Sequence, residues 1–179
     1  MGPCGAIVQQ QGIEGANHVA VCTTIDYGTN PPSSGDHYPI WASYKTYASP
    51  IPEGFWVHCL EHGAIVLTYN CAVGAGDAGD ATECAAEVQA AQQMIDSLPA
   101  DPACVQLAEG VSRRVVMTPD PKLDVRFAAS AWGWTLRASC FDAAAFQDFA
   151  MAHYAMGSEA LCNDGEDPLA AGLPGGCGD

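Results

Sequence analysis

Trp56-Val57-His58-Cys59-Leu60-Glu61-His62-Gly63 runs directly into Ala64-Ile65-Val66-Leu67-Thr68-Tyr69. The second half is continuous, apolar and β-branched, the pattern of a buried strand. The first half sets two imidazoles, a thiol and a carboxylate within five residues, His58 to His62. A third histidine lies upstream in Ser33-Ser34-Gly35-Asp36-His37-Tyr38, and a fourth in His18-Val19-Ala20-Val21-Cys22. Histidine is the commonest metal ligand, and sets of imidazoles with a carboxylate are what catalytic and redox metal centres use. The chain reads as a fold arranged to hold this cluster.

Working outward, residues 26–37 are turn chemistry, rich in Pro, Gly, Asn, Ser and Asp, which suits the placing of one side chain, His37. Residues 38–56 carry Tyr38, Trp41, Tyr44, Tyr47, Phe55 and Trp56 between prolines and glycines, and read as an aromatic loop layer. His18 to Cys22 reads as a short edge strand, and residues 1–17 as a loose N-terminal arm. After the buried strand and a 71–80 loop, Asp80 with Glu83 signals a helix start. Cys84, Val88, Ala91, Ile95 and Leu98 follow at helical spacing until Pro99. Asp101-Pro102 reads as the opening of a second short helix closed by Gly110. Arg113 to Thr118 and Val125 to Leu136 read as strands. Asp142 caps a last helix with Phe146, Phe149, Ala150 and His153 on one face.

This order predicts one α+β domain over residues 18–160, with a mixed or antiparallel sheet, helices on one side and disulfide staples. Thioredoxin-like and ferredoxin-like variants both accommodate it, although no Cys-x-x-Cys is present. Residues 161–179 read as a Gly/Asp/Pro-rich tail.

The 179 residues carry six Lys and Arg against 21 Asp and Glu, a net charge of −15. That excludes a nucleic-acid partner and disfavours an anionic membrane surface, while attracting cations. No run approaches the roughly 20 apolar residues of a membrane helix. Met1-Gly2-Pro3-Cys4 has neither the charged start nor the apolar run of a signal peptide, so export implies that a leader, or an anchoring segment, has been removed. Nine scattered cysteines point to disulfides in an oxidising, extracytoplasmic compartment. The odd number leaves one over, and Cys59 is the choice because it alone sits among the histidines. Pairing in chain order gives Cys4–Cys22, Cys71–Cys84, Cys104–Cys140 and Cys162–Cys177.

His58-Cys59-Leu60-Glu61-His62 matches H-x-x-E-H, in which two histidines one helical turn apart bind zinc and the glutamate acts as general base. Pro52 and Gly54 before it, and Gly63 with a β-branched run after it, leave room for about one turn of helix or an irregular loop. Glu61 then fits better as a partner that orients an imidazole through its other nitrogen. The favoured site is copper or zinc held by His37, His58 and His62, with His18 a candidate fourth ligand. Cys59 is a soft donor if deprotonated, and otherwise a small buried residue. Met156, near Met151 and His153, offers a thioether for copper, although methionines at helical spacing commonly serve as core. The alternatives are a zinc hydrolase with Glu61 as base, and a metal-free secreted binding module that uses the aromatic layer.

Three stretches carry a resemblance. Asn30-Pro31-Pro32-Ser33-Ser34-Gly35-Asp36-His37-Tyr38 is similar to a Pro-Pro-Thr-Ser-Gly-Pro-His-Tyr motif. Val57-His58-Cys59-Leu60-Glu61-His62-Gly63 resembles Val-His-x-Leu-Glu-His-Gly, and Ala129-Ser130-Ala131-Trp132-Gly133 resembles Ala-x-Ala-Trp-Gly. Together they resemble a bacterial family of extracytoplasmic, often membrane-anchored domains of unknown function. The resemblance spans residues 18–160 and implies an extracytoplasmic location and metal binding, with His18, His37, His58, Glu61 and His62 the positions to watch. Asp36, Ser33 and Cys59 depart from the family pattern, so no role of Cys59 transfers.

Overall fold

The computed structural model describes residues 4–74, 78–108 and 110–170, without the side chains of 78–80. Its elements are β1 (Ile7–Gln10), α1 (Glu53–Glu61), β2 (Ile65–Tyr69), α2 (Ala78–Ser97), β3 (Val115–Pro119), β4 (Phe127–Ala131), β5 (Trp134–Ala138) and α3 (Ala143–His153). One five-stranded sheet runs in the order β1-β5-β4-β2-β3. β2 and β3 pair in parallel across the α2 crossover, and all other neighbours are antiparallel, so the sheet is mixed. From β2 onward the order is β-α-β, hairpin, helix. The parallel pair is adjacent rather than split, which fits the thioredoxin-like alternative and not the ferredoxin-like one.

The apolar run at 64–67 is the strand inside this sheet. Ile65 and Leu67 face α2 and α3, with Cys84, Ala91, Met94, Phe146 and Phe149. Val66 faces the other way, onto α1 and the aromatic layer, with Phe55, Trp56, Val57, Leu60, Tyr38 and Tyr47. A strand covered on both faces needs no polar alternation, which is why the sequence shows none. Two helices thus share one face, and α1 with the aromatic layer covers the other. Each large side chain buried there contributes about 1.5–3 kcal/mol.

Several expectations need correction. The stretch placed in a loose arm includes β1, whose register Ile7↔Arg137 to Gln10↔Trp134 makes it the sheet edge, tied by Cys4–Cys140. His18 lies in no strand but in a single bridge to His37. Residues 125–136 are not one strand. Gly133 takes φ +73°, which lets Trp132-Gly133 form a two-residue turn between β4 and β5. Residues 102–108 are turns and a bend, not a helix: the Asp101 carboxylate takes the Ala103 and Cys104 N–H groups as a cap would, but Cys104 is tied to Cys162. α2 begins at Ala78, two residues before Asp80, whose side chain lies outside the described residues. Among the cysteines, Cys71–Cys84 pairs as expected. Two further bonds among the described residues are Cys104–Cys162 and Cys4–Cys140, the latter because the folded sheet brings the N-terminal strand to the end of β5. Cys22 is also disulfide-bonded, and Cys177 lies outside the described residues.

The main correction concerns α1. The H-x-x-E-H stretch is not one turn but the end of a nine-residue helix. Pro52 stands at the N-cap, where a missing N–H costs nothing. The far end closes as a Schellman motif: Ala64 N–H bonds to Cys59 O at 3.0 Å and Gly63 N–H to Leu60 O at 2.9 Å. Gly63 holds φ +82°, and a Cβ there would lie 2.8 Å from the Ala155 backbone. A Gly63→Ala variant is therefore expected to lose about 1–2 kcal/mol from the left-handed backbone alone, and more from the clash. Urea titration of the variant against the parent checks this, with an unchanged midpoint as the contrary result.

Candidate metal centre

On α1, His58, Glu61 and His62 stand at i, i+3 and i+4, so they share one face, while Cys59 points about 100° away. That face meets the turn-rich loop. Tyr38 clasps the helix from two sides: its N–H donates to Gly54 O at 3.1 Å, and its carbonyl accepts from His58 Nδ1 at 2.7 Å. His37 Nδ1 donates likewise to Gly35 O at 2.9 Å. A carbonyl oxygen only accepts, so both rings carry their proton on Nδ1 and present a bare Nε2. His18 is added by its bridge to His37, in which His37 N–H bonds to Asn17 O and Val19 N–H to His37 O.

The three rings form a triangle, with centroids 5.0 Å (His18–His37), 4.8 Å (His18–His58) and 4.6 Å (His37–His58) apart. Glu61 completes the group: one ligand atom from each of His18, His37, His58 and Glu61 lies within 4.8 Å of every other. His37, His58 and Glu61 are buried and His18 is exposed. His37 Nε2 is 3.0 Å from Glu61 Oε2, yet it makes no aligned hydrogen bond among the described residues. Two donors held about 2.0–2.2 Å from one ion stand roughly 3 Å apart, so the pair fits two ligands of a shared cation. The other Glu61 oxygen accepts from the Ser158 hydroxyl at 3.0 Å.

His62 lies beside this group, not within it. Its ring sits 4.5 Å from that of His58 and 4.6 Å from Trp41. Its Nε2 is 3.4 Å from Glu159 Oε2. Cys59 is the free cysteine of the described residues and is fully buried. It donates to Ala42 O at 3.3 Å, and burial pushes its thiol far above the ordinary range, so it is a neutral thiol in the aromatic core. Met156 is exposed. His153 stacks on Trp134 at 4.4 Å and belongs to the packing of α3. A second group, Asp101 with Cys104 and Cys162, has its sulfurs joined in a disulfide.

Sequence reasoning missed the supports. Arg114, at the start of β3, sends one guanidinium nitrogen to the His62 carbonyl and another to Asp101 Oδ2 at 2.9 Å. Tyr154 adds its hydroxyl to the same Asp101 oxygen at 3.0 Å. Burial raises the Asp101 pKa, but the Ala103, Tyr154 and Arg114 bonds outweigh it and leave the carboxyl below its usual range. The segment after α3 folds over the end of α1, with Ala155 N–H on Gly63 O and Glu159 N–H on Glu61 O. None of these residues has a sequence signature, because each acts across a long chain separation.

The profile of a family described as "Protein of unknown function (DUF3105)" matches residues 18–164. The chain belongs to the DUF3105 family. The match begins at His18 and takes in every residue of the histidine–glutamate group. No curated protein and no solved structure matches the chain.

The same burial sets a pH response. Burial, with the neighbouring His62, lowers the His58 pKa to about 3 against the helping Tyr38 carbonyl; burial lowers that of His62 to about 4 despite Glu61. An unfolded chain protonates these imidazoles near 6.5. Between pH 6.5 and about 4 the unfolded state therefore binds more protons, and stability falls with falling pH. In metal-free protein the urea midpoint is expected to drop from pH 7 to pH 4.5. The drop should shrink in His62→Gln, and an equal drop in both proteins is the contrary result.

Proposed function

We propose that the domain binds one first-row transition-metal ion, copper or zinc, through His18, His37, His58 and Glu61, as an extracytoplasmic metal-handling or metal-dependent redox protein. The observation that carries this reading is the buried His37 Nε2 facing Glu61 Oε2 at 3.0 Å without an aligned hydrogen bond, inside a group of four donors. A buried polar nitrogen left without a partner costs about 1–3 kcal/mol, a cost that a bound cation removes. Three imidazoles and one carboxylate suit zinc and copper alike, and both follow the same affinity order. The disulfides fit an oxidising compartment. No helix among the described residues is long and apolar enough to cross a membrane.

The hydrolase reading keeps one observation in its favour, since the H-x-x-E-H stretch does lie on a helix. Against it, His62 lies outside the group of candidate donors that includes His58, and Glu61 has one oxygen near those donors and the other accepting from the Ser158 hydroxyl. A ligand role and a base role differ under substitution. Glu61→Gln weakens binding if Glu61 is a ligand; it leaves binding intact and stops water activation if Glu61 is a base.

The test is metal content by plasma mass spectrometry on protein purified without an affinity metal column. About one equivalent of a single metal is expected in the parent, lost in His37→Ala and His58→Ala, with a raised melting temperature on metal addition. The mass spectrum assigns the element, and where it is copper a visible and paramagnetic spectrum marks copper(II) and silence in both marks copper(I). No bound metal after incubation with either ion overturns the proposal and leaves the binding-module reading.

A further inference from the structure

His62 is fully buried, and neither of its ring nitrogens has a hydrogen-bond partner among the described residues. Its Nε2 faces the Glu159 carboxylate at 3.4 Å, too distant and misaligned to bond. Glu159 is half exposed, with 51% of its side chain open to solvent. Its backbone is nonetheless fixed, because its N–H bonds to Glu61 O at 2.9 Å. His62 is equally fixed, by the helix end and by the Arg114 guanidinium on its carbonyl. A buried imidazole without a hydrogen-bond partner and a half-exposed carboxylate, each on a fixed stretch of backbone, thus face each other, with the His62 ring 4.5 Å from that of His58.

We propose that His62 and Glu159 form a second, weaker cation position, contiguous with the buried one, through which metal passes in and out. The inference rests on the metal reading of His18, His37, His58 and Glu61. An ion entering that group must exchange its water for three ligands that are almost entirely buried, His37, His58 and Glu61 at 0%, 3% and 7% exposed, beside the exposed His18. One exposed oxygen followed by one buried nitrogen divides that dehydration into steps. With two protein donors and the remaining positions filled by water, the pair holds a hydrated divalent ion loosely, which is what a transfer position requires. The excess of acidic residues raises the local cation concentration at its outer end.

The experiment uses the full chain and zinc or copper(II) alone. Equilibrium titration is followed by stopped-flow release to a chelator, for the parent, Glu159→Gln, His62→Gln and His18→Gln. The parent is expected to bind one tight and one weaker equivalent. Glu159→Gln, at an exposed site that leaves the fold intact, should lose the weaker equivalent, keep the tight one, and slow loading and release about tenfold or more, with His62→Gln behaving alike. A tight equivalent without a second, and release unchanged in Glu159→Gln, overturns this proposal alone. Release that slows only in His18→Gln overturns it too, by placing the exchange route on the opposite side. Absence of the tight equivalent in the parent overturns the metal reading itself.

Discussion

The centre depends on two N–H···O=C bonds, from His58 Nδ1 to Tyr38 O and from His37 Nδ1 to Gly35 O. Each fixes a tautomer and a ring plane, and each turns the basic nitrogen inward. Neither carbonyl is free to move. Tyr38 is anchored by its own N–H on Gly54, and its ring packs against Phe55. Gly35 sits in the turn whose N–H bonds to Gly15 O. Without these acceptors the same histidines would be free to rotate, and ring geometry would be lost before any ion was met.

Behind them stands a buried charge pair. Arg114 and Asp101 are 3% and 7% exposed, and their charges are offset by further hydrogen bonds: Asp101 accepts from Tyr154, Ala103 and Cys104, and Arg114 donates to Tyr154 and His62. A buried pair of this kind adds little net stability over an apolar equivalent, yet losing one partner is costly. Its location explains its presence. It joins the carboxyl end of α1 to the start of β3 and to the end of α3, so three elements meet at the residue that precedes the Gly63 stop. The helix dipole contributes in the same sense, since the Arg114 guanidinium sits at its negative end.

Much of this was legible in the sequence, for physical reasons that differ by element. β2 was readable because burial on both faces leaves a continuous apolar run, and α3 because Asp142 accepts from Ala145 N–H as a cap should. The histidines could be named from their narrow chemistry, but the expected ligand trio was His37, His58 and His62 with Glu61 as an orienting partner, whereas the folded chain groups Glu61 with His18, His37 and His58 and leaves His62 beside them. What failed was local. Pro52 and Gly63 look in the sequence like limits that shrink α1 to a turn, whereas they are the natural start and stop of a nine-residue helix. β1 was missed because all four of its residues are exposed, so it carries no burial pattern. The disulfides could not be paired in chain order, because sheet topology brings residues 4 and 140 together across a separation of 136. Arg114, Ser158 and Glu159 act through contacts that no local spacing encodes.

The Cys4–Cys140 and Cys104–Cys162 bonds overlap along the chain. Any backbone break between residues 4 and 140 is spanned by the first, and any break from there to 162 by the second. A single protease cut anywhere across the histidine loop, the helix or the sheet therefore yields a nicked molecule still joined as one covalent body, not two diffusing fragments. Damage to a surface loop therefore leaves the pieces at high effective concentration and able to re-dock. Such nicking shows on a gel only after the disulfides are reduced.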